Sequence, residues 1–116
     1  MTQEEKELLL KDLCARLPYG VFIKDGNRST PIKCDLDCHP NLDDLENIKP
    51  YLRPMSSMTE EEKKEYENCY QSDDTTTATL LVDFYNKKMF DYRGLIERGL
   101  GIDCTGLNIY KNEKFS

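Results

Sequence analysis

At 116 residues the chain has room for one hydrophobic core and about one typical domain. Its hydrophobic and charged fractions, 38% and 33%, are polar for a globular protein, but the apolar residues cluster as a folded core requires. The net charge of -6 is uneven: residues 1–85 carry 10 basic and 18 acidic side chains, residues 86–116 carry 6 and 4. That balance excludes the broad basic face needed for general nucleic-acid binding.

The first residues, Met1-Thr2-Gln3-Glu4-Glu5, are acidic where an export signal is basic. The longest apolar runs, Leu8-Leu9-Leu10 and Leu80-Leu81-Val82, are far too short to span a membrane. Five cysteines, Cys14, Cys34, Cys38, Cys69 and Cys104, give an odd count that suits reduced thiols. A cytoplasmic location is expected.

Thr2 and Glu5 have the spacing of a capping box. Leu9, Leu10, Leu13, Cys14 and Leu17 follow at helical spacing, and Pro18 ends the run. A helix over 3–17 is predicted. Val21-Phe22-Ile23 is β-branched and aromatic, and Asp25-Gly26-Asn27 is turn chemistry. Ile32, Cys34, Leu36 and Cys38 then alternate with polar residues, so a hairpin over 20–38 is predicted. Leu42, Leu45 and Ile48 fit either a helix or a short strand. Pro50 and Pro54 bracket Tyr51-Leu52-Arg53, which predicts an extended segment excluded from a central strand.

Thr59 and Glu62 repeat the capping-box spacing and predict a helix over about 60–71, with Tyr66, Cys69 and Tyr70 on its apolar face. Its Glu60–Glu65 charge run reads as an exposed front. Asp73 or Asp74 is placed to cap a further helix carrying the stripe Leu80, Leu81, Phe84, Tyr85 and Met89. Asp91 is placed to cap a short helix to Arg98, with Gly99 or Gly101 as its stop. Leu107, Ile109 and Tyr110 offer an edge strand, with a frayed tail from about 108.

Cys34, Cys38 and His39 are the cluster nearest to metal or thiol chemistry. On a strand, however, positions 34 and 38 lie about 13 Å apart, too far for one zinc ion. A cysteine nucleophile needs a base beside it, and strand neighbours point to opposite faces. Asp35, Asp37, Asp43, Asp44, Glu46, Asp73 and Asp74 fit a solvated surface as well as an acid–base or magnesium site. Phosphate-loop, nucleophile-elbow and EF-hand patterns are absent, so the sequence points to no catalytic residue, metal or cofactor. Seven tyrosines exceed what a small core needs. Tyr51, Arg53, Tyr92 and Arg93 combine the apolar area and polar tips of interface anchors and are the candidate partner-binding residues.

Three stretches carry a resemblance. They are Leu13-Cys14-Ala15-Arg16-Leu17-Pro18-Tyr19-Gly20-Val21, the run from Lys49-Pro50-Tyr51-Leu52-Arg53-Pro54 through Met55-Ser56-Ser57-Met58-Thr59-Glu60-Glu61-Glu62, and Phe90-Asp91-Tyr92-Arg93-Gly94-Leu95-Ile96-Glu97-Arg98-Gly99-Leu100. Together they resemble a group of small uncharacterised proteins of gut bacteria and their phages or prophages. The resemblance implies a mobile-element setting and transfers no functional residue.

The expectation is an α+β fold in one domain, 1–116: a small antiparallel sheet at about 20–52 packed with an N-terminal helix and a C-terminal helical region. The expected function is a non-enzymatic protein-binding or regulatory module, with an acidic inhibitor of a host nucleic-acid enzyme as a special case. The alternatives are a small metal- or thiol-dependent enzyme around Cys34, Cys38 and His39, and a homo-oligomer that buries its tyrosines.

Overall fold

The computed structural model describes residues 1–26, 28–37, 42–107 and 109–110, and has an α+β fold. Helix α1 (Gln3–Arg16) opens with the expected capping box, both arms of which form between Thr2 and Glu5. Pro18 follows in a short 3-10 turn, Leu17–Tyr19, and Gly20 turns the chain at φ 79. Strand β1 (Val21–Asp25) pairs antiparallel with β2 (Ile32–Cys34) and, on its other edge, with β3 (Ile48–Leu52). A two-residue strand, β4 (Ile102–Asp103), runs parallel to β3. The order is β2-β1-β3-β4, so the sheet is mixed where an antiparallel one was expected.

Helix α2 (Glu60–Asn68) carries the second complete capping box, and α3 (Asp74–Lys88) is capped by Asp73. The core joins Leu9, Leu13 and Leu17 to Val21, Ile23, Cys34, Ile48 and Leu52, and to Met89, Leu95 and Leu100. No helix among the described residues is long and apolar enough to cross a membrane.

Several expectations are corrected. The alternation from Ile32 ends as a strand at Cys34: the Asp37 N–H donates to the Asp35 carboxylate in a turn, and Leu36 is 64% exposed. Cys38, the expected end of that strand, lies outside the described residues. Residues 42–47 form 3-10 turns kinked at Asp44, and the strand begins only at Ile48.

Pro50 is within a central strand after all, and register explains why. Asp25 is opposite Ile48, and the Gly26 N–H donates to the Asn47 carbonyl at 2.7 Å. Ladder bonds alternate along an antiparallel pair, so Pro50 faces Ile23 at a non-hydrogen-bonded position, with its nitrogen toward the other edge. There pairing with β4 begins only at Tyr51. Gly101 permits the approach of β4, since a Cβ there would sit 3.2 Å from Leu52 Cδ1 and 3.3 Å from Leu95 Cβ.

By the same alternation, Phe22 and Tyr51 are due to exchange ladder bonds. Instead the Tyr110 hydroxyl accepts from the Phe22 N–H at 2.7 Å and donates to the Tyr51 carbonyl at 2.8 Å. The Tyr110 ring packs edge-on against Phe22. Where an edge strand was expected, residues 107, 109 and 110 lie in turns, and Tyr110 is stitched into the sheet by its side chain. Helix α2 stops at Asn68 rather than near 71, and residues 92–99 form turns rather than a helix. Asp91 still caps that segment, accepting from the Leu95 and Ile96 amides at 2.8 and 3.0 Å, and Gly99 ends it at φ 75.

Tyr110→Phe keeps the ring and removes the bridge. It is expected to cost about 1–2 kcal/mol in urea unfolding. An unchanged midpoint would mean that the hydroxyl does not carry the ladder at that point.

Candidate functional site

Two buried arginine–carboxylate centres organise the part of the molecule where most of the candidate residues lie. In the first, Arg16 and Asp12 stand one turn apart on α1, and both side chains are 0% exposed. Arg16 Nε and Nη2 donate to the two Asp12 oxygens at 2.9 and 3.0 Å. Two further bonds reach backbone: Nη2 to the Phe90 carbonyl at 2.7 Å, and Nη1 to the Tyr85 carbonyl at 3.5 Å. Arg93 adds a second cation to Asp12 at 2.8 Å. Burying a charge is costly unless it is paired and hydrogen-bonded. This centre meets that condition, and no buried side-chain N or O among the described residues lacks a partner.

In the second centre, Arg53 at the end of β3 grips Glu62 of α2 with two bonds of 2.6 and 2.7 Å. Its guanidinium also donates to the Ser57 and Lys88 carbonyls. Burial pushes the Glu62 carboxyl up, but the Arg53 hydrogen bond and the Thr59 backbone N–H outweigh it and hold the carboxyl down to about 2. Glu62 is therefore both the capping residue of α2 and the anchor that docks the helix, not part of an exposed front.

Phe90 links the two centres. Its carbonyl accepts from Arg16, and its ring lies 4.4 Å under the Arg53 guanidinium. It is held there because Met89 adopts a left-handed conformation, φ 62, that ends α3 abruptly. Arg53 N–H donates to the Met89 carbonyl, and Asp91 N–H donates to the Arg53 carbonyl, both at 2.8 Å.

These centres fix the walls of an open groove of about 680 Å³, lined by Pro54, Met55, Ser56, Tyr85, Asp91, Tyr92, Gly94, Ile96, Glu97 and Asp103. Arg53 braces the 54–57 turn on one side. Asp12, through Arg16 and Arg93, braces residues 90–93 on the other. Asp91 ties down the 95–96 amides, and Asp103 accepts from the Thr105 amide and hydroxyl, which hold its carboxyl below the usual range.

Of the four candidate anchors, Tyr51 is buried in β3 and presents little surface. Arg53 and Arg93 are partly buried and engaged in the two centres. Tyr92 is partly buried: it stacks on Tyr85 at 5.2 Å, packs under the Arg93 guanidinium at 4.4 Å and donates to Asn86. Of these four, only Tyr92 lines the groove. Glu62 was legible as a helix cap but not as the partner of Arg53, and the Asp12–Arg16 pair was not legible. Asp12 and Arg16 did leave a trace, because they fall three and seven residues from Leu9, on its helix face.

Of the cysteine cluster, Cys34 is a core residue, while Cys38 and His39 lie outside the described residues. Burial pushes the Cys104 thiol up to about 11 and raises that of Cys69, aided there by Glu65. Both stay protonated near neutrality, which suits packing and not nucleophilic attack. Among the described residues no group of three or more His, Cys, Asp or Glu is placed to hold a metal ion. Asp35, Asp44 and Asp73 each accept local turn or cap hydrogen bonds, and Glu46 pairs with Lys6 at 3.6 Å.

Removing Asp12 should leave two cations without their carboxylate. Asp12→Ala is expected to lose about 3–5 kcal/mol of unfolding free energy. The Glu62 pair has a pH signature. Its folded pKa lies below its ordinary 4.5, so its contribution is complete above that pH and is lost as pH falls toward 2. Glu62→Gln should therefore cost about 3 kcal/mol at neutral pH, and the gap from the parent should close in acid. A gap independent of pH in denaturant titrations would refute this.

Comparison of the chain with protein-family models, with curated proteins and with solved structures finds no match.

Proposed function

We propose that this protein is a non-enzymatic binding or regulatory module that takes a protein partner in the groove between the 54–57 and 90–97 turns. The observation that carries this reading is the construction of the groove. Its walls are braced from inside by Arg53–Glu62 and Arg16–Asp12–Arg93, while Met55, Ile96, Glu97 and Asp103 remain at the surface. A braced concave surface with apolar lining favours binding, because little ordering is lost when a partner docks. The three-segment resemblance to small proteins of gut bacteria and their phages or prophages favours a host protein as that partner.

A second reading rests on a different surface. Tyr70, just after α2, and Leu80, in the part of α3 that the Cys69 thiol meets, are exposed apolar side chains. A homo-oligomer that covers them would bury that surface.

Solution mass and partner capture separate the two. The expected result is a monomer that retains a specific host protein, with Ile96→Lys and Met55→Lys abolishing retention while the fold is kept. A stable dimer dispersed by Tyr70→Asp with Leu80→Asp would replace this reading with the second.

A further inference from the structure

We infer that the groove selects a basic segment, one whose lysine or arginine side chains lie across it with their stems on the apolar lining and their charges at its rim. This inference rests on the proposed use of the groove and adds the chemistry of the occupant.

Three of the ten lining residues are carboxylates, Asp91, Glu97 and Asp103, and none is basic. Three arginines are hydrogen-bonded to carboxylates outside the lining: Arg53 to Glu62, and Arg16 and Arg93 together to the single carboxylate of Asp12, so the three lining carboxylates outnumber the one net positive charge that this pairing leaves. Among the described residues, none of the three rim carboxylates forms an ion pair. Asp103 keeps its negative charge well below neutral pH because Thr105 donates to it twice. The apolar contribution comes from Pro54, Met55 and Ile96. An arginine or lysine has the matching construction, a hydrocarbon stem with a charged head. An acidic or phosphorylated segment would meet like charge at Asp91, Glu97 and Asp103, which costs affinity.

Tyr85 and Tyr92 sharpen the assignment. They stack on one another, and a face of Tyr92 is taken by Arg93 at 4.4 Å. A caged methylammonium needs open ring faces, so recognition here falls to the carboxylates.

The test is an amide-resolved NMR titration with a short peptide of alternating arginine and leucine, beside the same peptide with citrulline in place of arginine. The arginine peptide is expected to shift the amides of Ile96, Glu97 and Asp103. Paired Glu97→Gln and Asp103→Asn should weaken it about tenfold at low salt, and by less at physiological salt. Asn at 103 still accepts from Thr105, so the turn is kept. A control pair on the exposed face of α2, Glu61→Gln with Glu67→Gln, removes the same charge and should change binding less than twofold.

Equal weakening by the control pair would overturn the inference in favour of diffuse attraction to an acidic protein. Equal binding of the citrulline peptide in the groove would also overturn it, while leaving the groove as a protein-binding surface. Shifts confined to other surfaces for both peptides would overturn the groove reading itself.

Discussion

The buried guanidinium of Arg16 is the constraint on which the rest depends. A fully buried cation has to be satisfied in full, and this one draws its partners from three places in the chain. Asp12 comes from its own helix, and the Tyr85 and Phe90 carbonyls come from the end of α3 and just beyond. The N-terminal helix and the α3 exit cannot move independently without stranding a charge. An apolar contact in the same place would tolerate sliding; a guanidinium with fixed donor directions does not.

From Phe90 the constraint passes to the sheet. The chain leaves α3 through the left-handed Met89, and residues 89–91 then run parallel to Arg53, extending the β3 edge beyond the reach of β1. Along that edge β3 meets β1, then the Tyr110 hydroxyl, then the Met89–Asp91 backbone. Three unrelated pieces of chain thus satisfy consecutive backbone groups of one strand. The strand is central in the sheet although it contains a proline, because the proline falls where no donor is required.

Much of this was legible and some was not, for physical reasons that differ from residue to residue. Helix starts are local, and both capping boxes and the Asp73 cap form as the spacing dictates. The hairpin core, Val21, Ile23, Ile32 and Cys34, was likewise written in alternation. Pairing with β4 was not, because a two-residue strand has no periodicity to read. The apparent continuation to Leu36 failed because alternation records only which positions could share a face, not where a partner strand ends. At the groove, tyrosine and arginine composition pointed to side chains that the fold engages internally. Arg53 and Arg93 are braces, and their carboxylate partners lie 9 and 81 residues away in sequence. No local pattern announces such a pair. The groove itself is assembled from four separate pieces of chain, so it has no linear signature at all.

The division of labour between charges follows from burial. Asp12 and Glu62 are buried carboxylates, and each is matched by arginine. Glu97 and Asp103 are exposed and can remain without a cation, because water solvates them at little cost. Internal pairing engages Arg16, Arg53 and Arg93, and the charged residues left in the groove lining are carboxylates, in a region of the sequence that is, by count, slightly basic. The charged residues that line the groove are therefore all acidic, although the charge balance of residues 86–116 is positive. Charge count along the chain and charge at a surface are thus different quantities, because Arg53 is matched one to one by Glu62 whereas Arg16 and Arg93 share the single carboxylate of Asp12.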